Sequence, residues 1–293
     1  MELEYIIKKE DEYTEIKQVL FQEFNISARL YTTIKKKNLL FLNQAPAKPY
    51  DRVHVGDYIL VDLNHSEESN IIPTLMKLDI LEETPGYLVL HKPAGIAIHP
   101  SCRHFDSSLS NGVQFYFNKI GLQKKIRSVN RLDKDTSGVV IFAKNEFIQE
   151  CLIKQMKAGV FKKKYIAILD GILSEEKGTI CKAIARKEGS IIEREINADG
   201  DMAITHYWVL RTKINLSLVK FVIETGKTHQ IRIHSQYLGA PILGDTLYGN
   251  SSSLISRQAL HSYEIQFQDP ITKELKTYTA PIPQDMEKII ETM

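Results

Sequence analysis

Apolar positions recur with helical spacing near the start of the chain and with strand-like runs beyond it. Ile16, Val19, Leu20 and Phe24 form one stripe, which predicts an amphipathic helix over 14–24. Asn25-Ile26-Ser27 interrupts it. Ser27 is placed to cap a second helix from Ala28 to about Lys37, whose polar side carries Arg29, Lys35, Lys36 and Lys37. Short apolar runs at 39–42 and 53–61 read as strands, with a turn at Gly56-Asp57. Residues 64–75 are polar and aperiodic and read as a linker, so a small domain over 1–63 is expected ahead of a larger one over 76–293.

In the larger part, runs at 78–82 and 87–91 flank Thr84-Pro85-Gly86, a strand, turn, strand signature. The second run passes into Lys92-Pro93-Ala94-Gly95, where proline and glycine force a loop. Val139 to Ala143 is almost wholly apolar and predicts a strand buried on both faces. Asn145 then caps a helix to about Lys157, closed by Gly159. Strands are expected over 161–170, near 179–184, 204–211 and 216–224, and again at 259–267 and 275–280. A helix from His229 to Leu238 places His229, Arg232 and Gln236 on one face, and a last helix is expected over 284–292. Strands joined more often by turns than by helices predict an α+β fold. The expected architecture is a mixed, mostly antiparallel sheet flanked by helices and loops around a central cleft.

Composition adds little beyond an ordinary globular protein, at 43% hydrophobic and 25% charged residues. The net charge of +2, from 38 basic and 36 acidic side chains, neither favours nor opposes nucleic acid. Distribution is more informative: Lys35 to Lys37, Lys162 to Lys164, and Lys124, Lys125, Arg127 and Arg131 are local basic clusters suited to phosphate contact or to a solvated face. The acidic start Met-Glu-Leu-Glu-Tyr has no secretory pattern, and no apolar run approaches a membrane span. Three widely spaced cysteines, 102, 151 and 181, predict a reduced, cytoplasmic setting without structural zinc.

The densest polar chemistry lies in Arg131-Leu132-Asp133-Lys134-Asp135-Thr136-Ser137-Gly138, at the mouth of the apolar strand. An Asp-x-Asp-Thr string invites comparison with phosphatases that form an aspartyl phosphate. Those place the carboxylates after their strand and need a distant acidic pair for magnesium, whereas here the strand follows and no Asp-Asp occurs. A retaining glycosidase would pair two carboxylates across the fold, yet the groups gathered here are cationic and aromatic.

Arg131-Leu132-Asp133-x-x-Thr136-Ser137-Gly138 is similar to the signature of the RluA-type RNA pseudouridine synthases. Three further stretches agree in order: His91-Lys92-Pro93-Ala94-Gly95 with His99-Pro100; Lys162-Lys163-Lys164-Tyr165-Ile166-Ala167; and Thr225 to His234 followed by Gly244-Asp245-x-x-Tyr248-Gly249. Asn130 stands where the family signature usually has His, and no catalytic role is expected of it. The first 63 residues resemble the small RNA-binding domain first described in a ribosomal protein of the small subunit, with Lys37-Asn38-Leu39 in place of the usual Gly-x-Val.

The resemblance implies an isomerase that breaks the ribose–N1 bond of uridine, turns the uracil and rejoins it through C5, without redox change, cofactor or metal. It assigns to Asp133 the carboxylate acting at C1′ or C2′, to Arg232 its guanidinium partner, and to Tyr165 packing against the base and acceptance of the C5 proton. Arg131 is the expected wedge that takes the place of a flipped base. Lys92, His229, Arg29, Lys35, Lys36 and Lys37 are the remaining expected RNA contacts. The expected partner is ribosomal or transfer RNA, bound by a monomer. A non-catalytic RNA-binding or ribosome-assembly protein on the same fold is the rival reading.

Overall fold

The computed structural model describes residues 1–101 and 105–293; Cys102 lies outside the described residues. Its first elements are β1 (Glu2–Ile6), α1 (Ile16–Gln22), α2 (Ala28–Lys37), β2 (Leu40–Leu42), β3 (Ala45–Pro46) and β4 (Tyr58–Asp62). The strands form an antiparallel sheet in the order β1-β4-β2-β3. α1 buries Ile16, Val19 and Leu20 of the stripe foreseen from its spacing, whereas Phe24 lies beyond its end, and α2 buries Leu30 and Ile34. Ser27 caps α2 by accepting from Leu30 N–H at 3.1 Å. β1 was not foreseen: its exposed and buried positions alternate through Glu2-Leu3-Glu4-Tyr5, and acidic outward residues hide the strand.

The second sheet begins with β5 (Asp79–Glu83) and β6 (Tyr87–Lys92), followed by α3 (Leu109–Lys119), β7 (Arg127–Ser128) and β8 (Ser137–Ala143). Next come α4 (Glu146–Lys157), β9 (Lys162–Asp170), β10 (Lys177–Arg186), β11 (Arg194–Ile196), β12 (Asp201–Lys213) and β13 (Leu216–Ile223). α5 (Gln230–Tyr237), β14 (Leu260–Gln268), β15 (Leu275–Thr279) and α6 (Gln284–Thr292) complete the chain. The order is β11-β10-β12-β13-β9-β14-β8-β6-β5, with β15 beside β14 and β7 beside β8. Of these pairings only β14 with β8 is parallel, so the sheet is mixed and mostly antiparallel, as expected.

All seven residues of β8 are buried. Val140 and Phe142 join the apolar cluster that includes Leu109, Val113 and Phe117 of α3, with Met286 and Ile289 of α6. Val139, Ile141 and Ala143 join the other cluster, with Phe147, Ile148 and Leu152 of α4 and the core of the first sheet and its helices. The period of two along the strand thus delivers alternate side chains to two cores. α3 gave no apolar stripe because Ser110, Asn111, Gly112 and Gln114 are among its buried residues. Gly112 lets the chain pack closely there, since a Cβ would stand 3.0 Å from Cβ and Sδ of Met76, which would have to shift.

Residues 64–75 carry neither helix nor strand, yet they are tied down. Lys124 Nζ donates to the Leu63 and His65 carbonyls at 2.6 and 2.5 Å, and Arg127 pairs with Glu67 through two hydrogen bonds of 2.7 and 2.6 Å. Two members of the basic cluster at 124–131 therefore serve as internal ties rather than as a face for phosphate. Among the described residues, no helix is long and apolar enough to cross a membrane.

Candidate active site

Asp133 sits in the turn leading into β8, where Thr136 N–H donates to the Asp133 carbonyl at 3.2 Å. The hydroxyls behind it fasten the turn to its neighbours: Thr136 accepts from Gln258 Nε2 at 3.3 Å, and Ser137 Oγ meets His261 Nδ1 at 2.9 Å. Gly138 allows the parallel strand β14 to come close, since its φ is +125° and a Cβ would stand 2.1 Å from the Ser262 carbonyl oxygen. Asn130 Nδ2 donates to the Val139 carbonyl at 3.0 Å, and its Oδ1 accepts from Ile141 N–H at 2.9 Å. Its amide side chain therefore extends the pairing along β8, a structural task consistent with a residue given no catalytic role.

Opposite the turn, α5 presents Arg232 in its first turn. Arg232 Nε and Nη2 donate to the two Asp245 oxygens at 2.6 and 2.8 Å, and Nη1 donates to Asp133 Oδ2 at 3.2 Å. Burial disfavours the guanidinium charge, but the two carboxylates more than offset this and the Arg232 pKa is raised. The guanidinium also lies over the Tyr248 ring, 5.0 Å from its centroid.

His229 caps α5 in a left-handed conformation, φ 59°, and its Nε2 lies 3.8 Å from Asp133 Oδ2. Its Nδ1 is 2.8 Å from the Tyr248 hydroxyl, which itself accepts from Arg194 N–H at 2.8 Å. The hydroxyl and Nδ1 thus share one hydrogen between them, the direction set by the tautomer of the ring. Burial, the largest influence on His229, lowers its pKa and keeps the ring neutral at pH 7.

β9 supplies the third side. Tyr165 is buried, and desolvation together with the Asp133 charge raises its pKa, so the phenol is protonated at neutral pH. Lys163, two residues earlier on the same strand face, is also buried, and desolvation lowers its pKa to about 8. Asp133, Arg131, Arg232, His229, Tyr165 and Lys163 share one cleft of about 280 Å³.

The expected face of α5 holds only in part, because Gln236 is exposed while His229 and Arg232 line the cleft. Lys92 is the clear departure: expected as an RNA contact, it is fully buried and donates to the Pro93, Ile96 and Lys134 carbonyls at 2.9, 2.8 and 2.8 Å. Desolvation lowers its pKa to about 7. It clamps the loop after β6 to the Asp133 turn. The lysine run at 162–164 is likewise split by the strand: Lys162 is exposed, Lys163 points into the cleft, and Lys164 pairs with Glu264.

Arg29, Lys35, Lys36 and Lys37 are exposed along α2 and do not line the cleft. Lys35 lies over the Tyr31 and Tyr50 rings, and Lys37 Nζ donates to the Ser66 carbonyl at 3.1 Å. Asp245, Tyr248 and Lys163 received no individual role from the sequence. For the first two, the signal was present in Gly244-Asp245-x-x-Tyr248-Gly249, a turn motif carrying an acid and an aromatic that nothing local required.

The family profile for RNA pseudouridylate synthase matches residues 86–237, which span the Asp133 turn, β9 and α5. Over 242 residues the chain is 42% identical to the RNA pseudouridine synthase YhcT of Bacillus subtilis (strain 168), covering 82% of this chain and 80% of that protein. It is 32% identical over 272 residues to ribosomal large subunit pseudouridine synthase D of Neisseria meningitidis serogroup B, covering 88% and 72%. The fold matches that of human RNA pseudouridylate synthase domain containing 1, with a TM-score of 0.58 at 23% identity, over 74% of this chain and 94% of that one. The chain therefore belongs to the RluA-type RNA pseudouridine synthases, intramolecular isomerases that act on RNA.

Proposed function

We propose that the protein isomerises specific uridines in structured RNA, ribosomal RNA foremost, with Asp133 as the carboxylate that acts at the sugar. The observation that carries this reading is the 3.2 Å contact of Asp133 Oδ2 with Arg232 Nη1 in the cleft lined by Tyr165. A guanidinium at that distance holds and orients the carboxylate for the step it must perform, either attack on C1′ or removal of a proton from C2′. Ribosomal RNA is favoured because relatives over 30% identical are named as synthases of the large ribosomal subunit.

A paired uridine cannot reach an enclosed carboxylate, so the base must leave its stack, at a cost of a few kcal/mol. Arg131, which is exposed and lines the cleft, fills the gap in this reading. Tyr165 supplies a flat face for the uracil. As a protonated phenol it can take the C5 proton only by passing its own on, and Asp133 is the carboxylate whose charge reaches it. Tyr165 thus acts as a relay in the last step.

Residues 1–63 form the RNA-binding domain, 64–75 the connection, and 76–293 the catalytic domain. Arg29, Lys35, Lys36 and Lys37 contact RNA phosphate, and the protein acts as a monomer in the cytoplasm with neither cofactor nor metal. The test uses RNA tritiated at uridine C5: the wild type should release label and Asp133→Asn should not. Equal release by both would remove Asp133 from the chemistry. Mapping pseudouridine in RNA from cells with and without the protein should show its absence at defined ribosomal positions.

A further inference from the structure

Lys163 is a buried cation for which the reading above has no use. Its Nζ has the Thr225 carbonyl as acceptor, at a long 3.4 Å, and among the described residues no carboxylate forms an ion pair with it. Desolvation is the one influence that shifts its pKa, so no neighbouring charge compensates the ammonium. A lysine placed in this way costs stability unless something else supplies the opposite charge. The side chain lies on the same face of β9 as Tyr165, about 7 Å along the strand, and both line the cleft with Asp133 and Arg232. The cation therefore stands where the base would lie.

The reaction creates a negative charge there. When the C1′–N1 bond breaks, its electron pair goes to N1 and spreads over uracil O2 and O4. This holds whether Asp133 attacks C1′ or removes a proton from C2′, because both routes expel uracil with the bonding pair. The charge is discharged when C5 bonds to C1′ and the C5 proton leaves. We propose that the Lys163 ammonium donates a hydrogen bond to a carbonyl oxygen of the departing uracil and stabilises its anion while it turns. This rests on the reading of the Asp133 cleft as the seat of the uracil. An ammonium held in a dry cleft before the charge appears need not reorganise when it does, which is the condition under which one donor contributes most to rate.

The test compares Lys163→Met, which keeps the volume and removes the charge, with Lys163→Arg, which keeps a cation. In single-turnover assays Lys163→Met should lose about 100-fold in rate at saturating enzyme. Its RNA affinity should be unchanged, and Lys163→Arg should recover part of the loss. The discriminating substrate carries 5-fluorouridine at the target, because fluorine makes the uracil a better leaving group that needs less help. With that RNA, the gap between wild type and Lys163→Met in the rate of glycosidic bond cleavage should shrink at least several-fold. An unchanged gap, or a loss confined to affinity as expected of a phosphate contact, overturns the proposal. If Asp133→Asn keeps its activity, the reading of the cleft fails instead. An inactive Asp133→Asn beside a Lys163→Met indifferent to fluorine sinks only the role of Lys163.

Discussion

Asp245 grips Arg232 through both carboxylate oxygens, at 2.6 and 2.8 Å, and leaves one guanidinium nitrogen free for Asp133. The proposed catalytic carboxylate is therefore aimed by a residue the substrate does not reach. Asp245 is itself steadied by Leu247 and Tyr248 N–H donors at 3.0 and 3.3 Å. Asn in its place retains an acceptor for those donors but not the paired charge. Asp245→Asn should fold, bind RNA normally and lose about 100-fold in rate. Asp245→Ala leaves Arg232 buried and short of a partner, and should cost about 3 kcal/mol in urea unfolding. Unimpaired turnover in both would show that Arg232 needs no anchor.

Tyr165→Phe removes the proton relay while keeping the flat ring. Pseudouridine formation should fall on the order of 100-fold, with cleavage of the glycosidic bond less affected. The C5-linked adduct that still carries its C5 proton should then accumulate in quenched reactions. If cleavage itself slows as much as product formation, the phenol acts earlier than the relay requires.

Lys92→Met should behave as a damaged clamp. Three carbonyls lose their donor inside the protein, costing roughly 2–4 kcal/mol in stability, with the rate falling as the Asp133 turn loosens. Affinity for RNA should hold. Weaker RNA binding at unchanged stability would restore Lys92 to the interface from which its burial removes it.

Acid should weaken the fold before ordinary carboxylates protonate. His234 and His261 are fully buried, and desolvation lowers each pKa to about 4. An unfolded histidine binds its proton near pH 6.5, so the unfolded state holds more protons between about 6.5 and 4. Their contribution to stability is complete above pH 6.5 and is lost as pH falls through that window. The melting temperature should drop by roughly 5 °C between pH 6.5 and 5. A flat profile there would mean that these rings protonate without unfolding.

Replacing Lys35, Lys36 and Lys37 together by Ala should weaken RNA binding and lower the slope of log affinity against log salt by about 2 to 3, with turnover of bound RNA intact. An unchanged slope would exclude α2 from phosphate contact.

Where one periodicity governed an element, the sequence was readable: the stripe of α1, the caps at Ser27 and Asn145, and the unbroken apolar run of β8 all appear as expected. β1 escaped because its period of two is carried by only five residues, two of them glutamates that disfavour strands, and α3 because several of its inward positions are polar. In the site, motif order brought Asp133, Tyr165 and Arg232 forward. It could not show that Lys92 turns inward, because a lysine before a Pro-Gly loop looks the same whether its ammonium meets phosphate or three carbonyls. Nor could it divide Lys162, Lys163 and Lys164, whose environments differ only once the strand face is known.

β14 lies between β8 and β9 and is the strand through which the two parts of the large sheet are joined. Asp133 precedes β8, whereas Tyr165 and Lys163 belong to β9, so the cleft has one wall on each part. During synthesis both walls leave the ribosome well before residues 260–268 do. A nascent or truncated chain that stops short of β14 holds every proposed catalytic group but lacks the backbone pairing that aligns them. Maturation of the site is thereby deferred until β14 has emerged, and fragments released before it should be inert towards RNA.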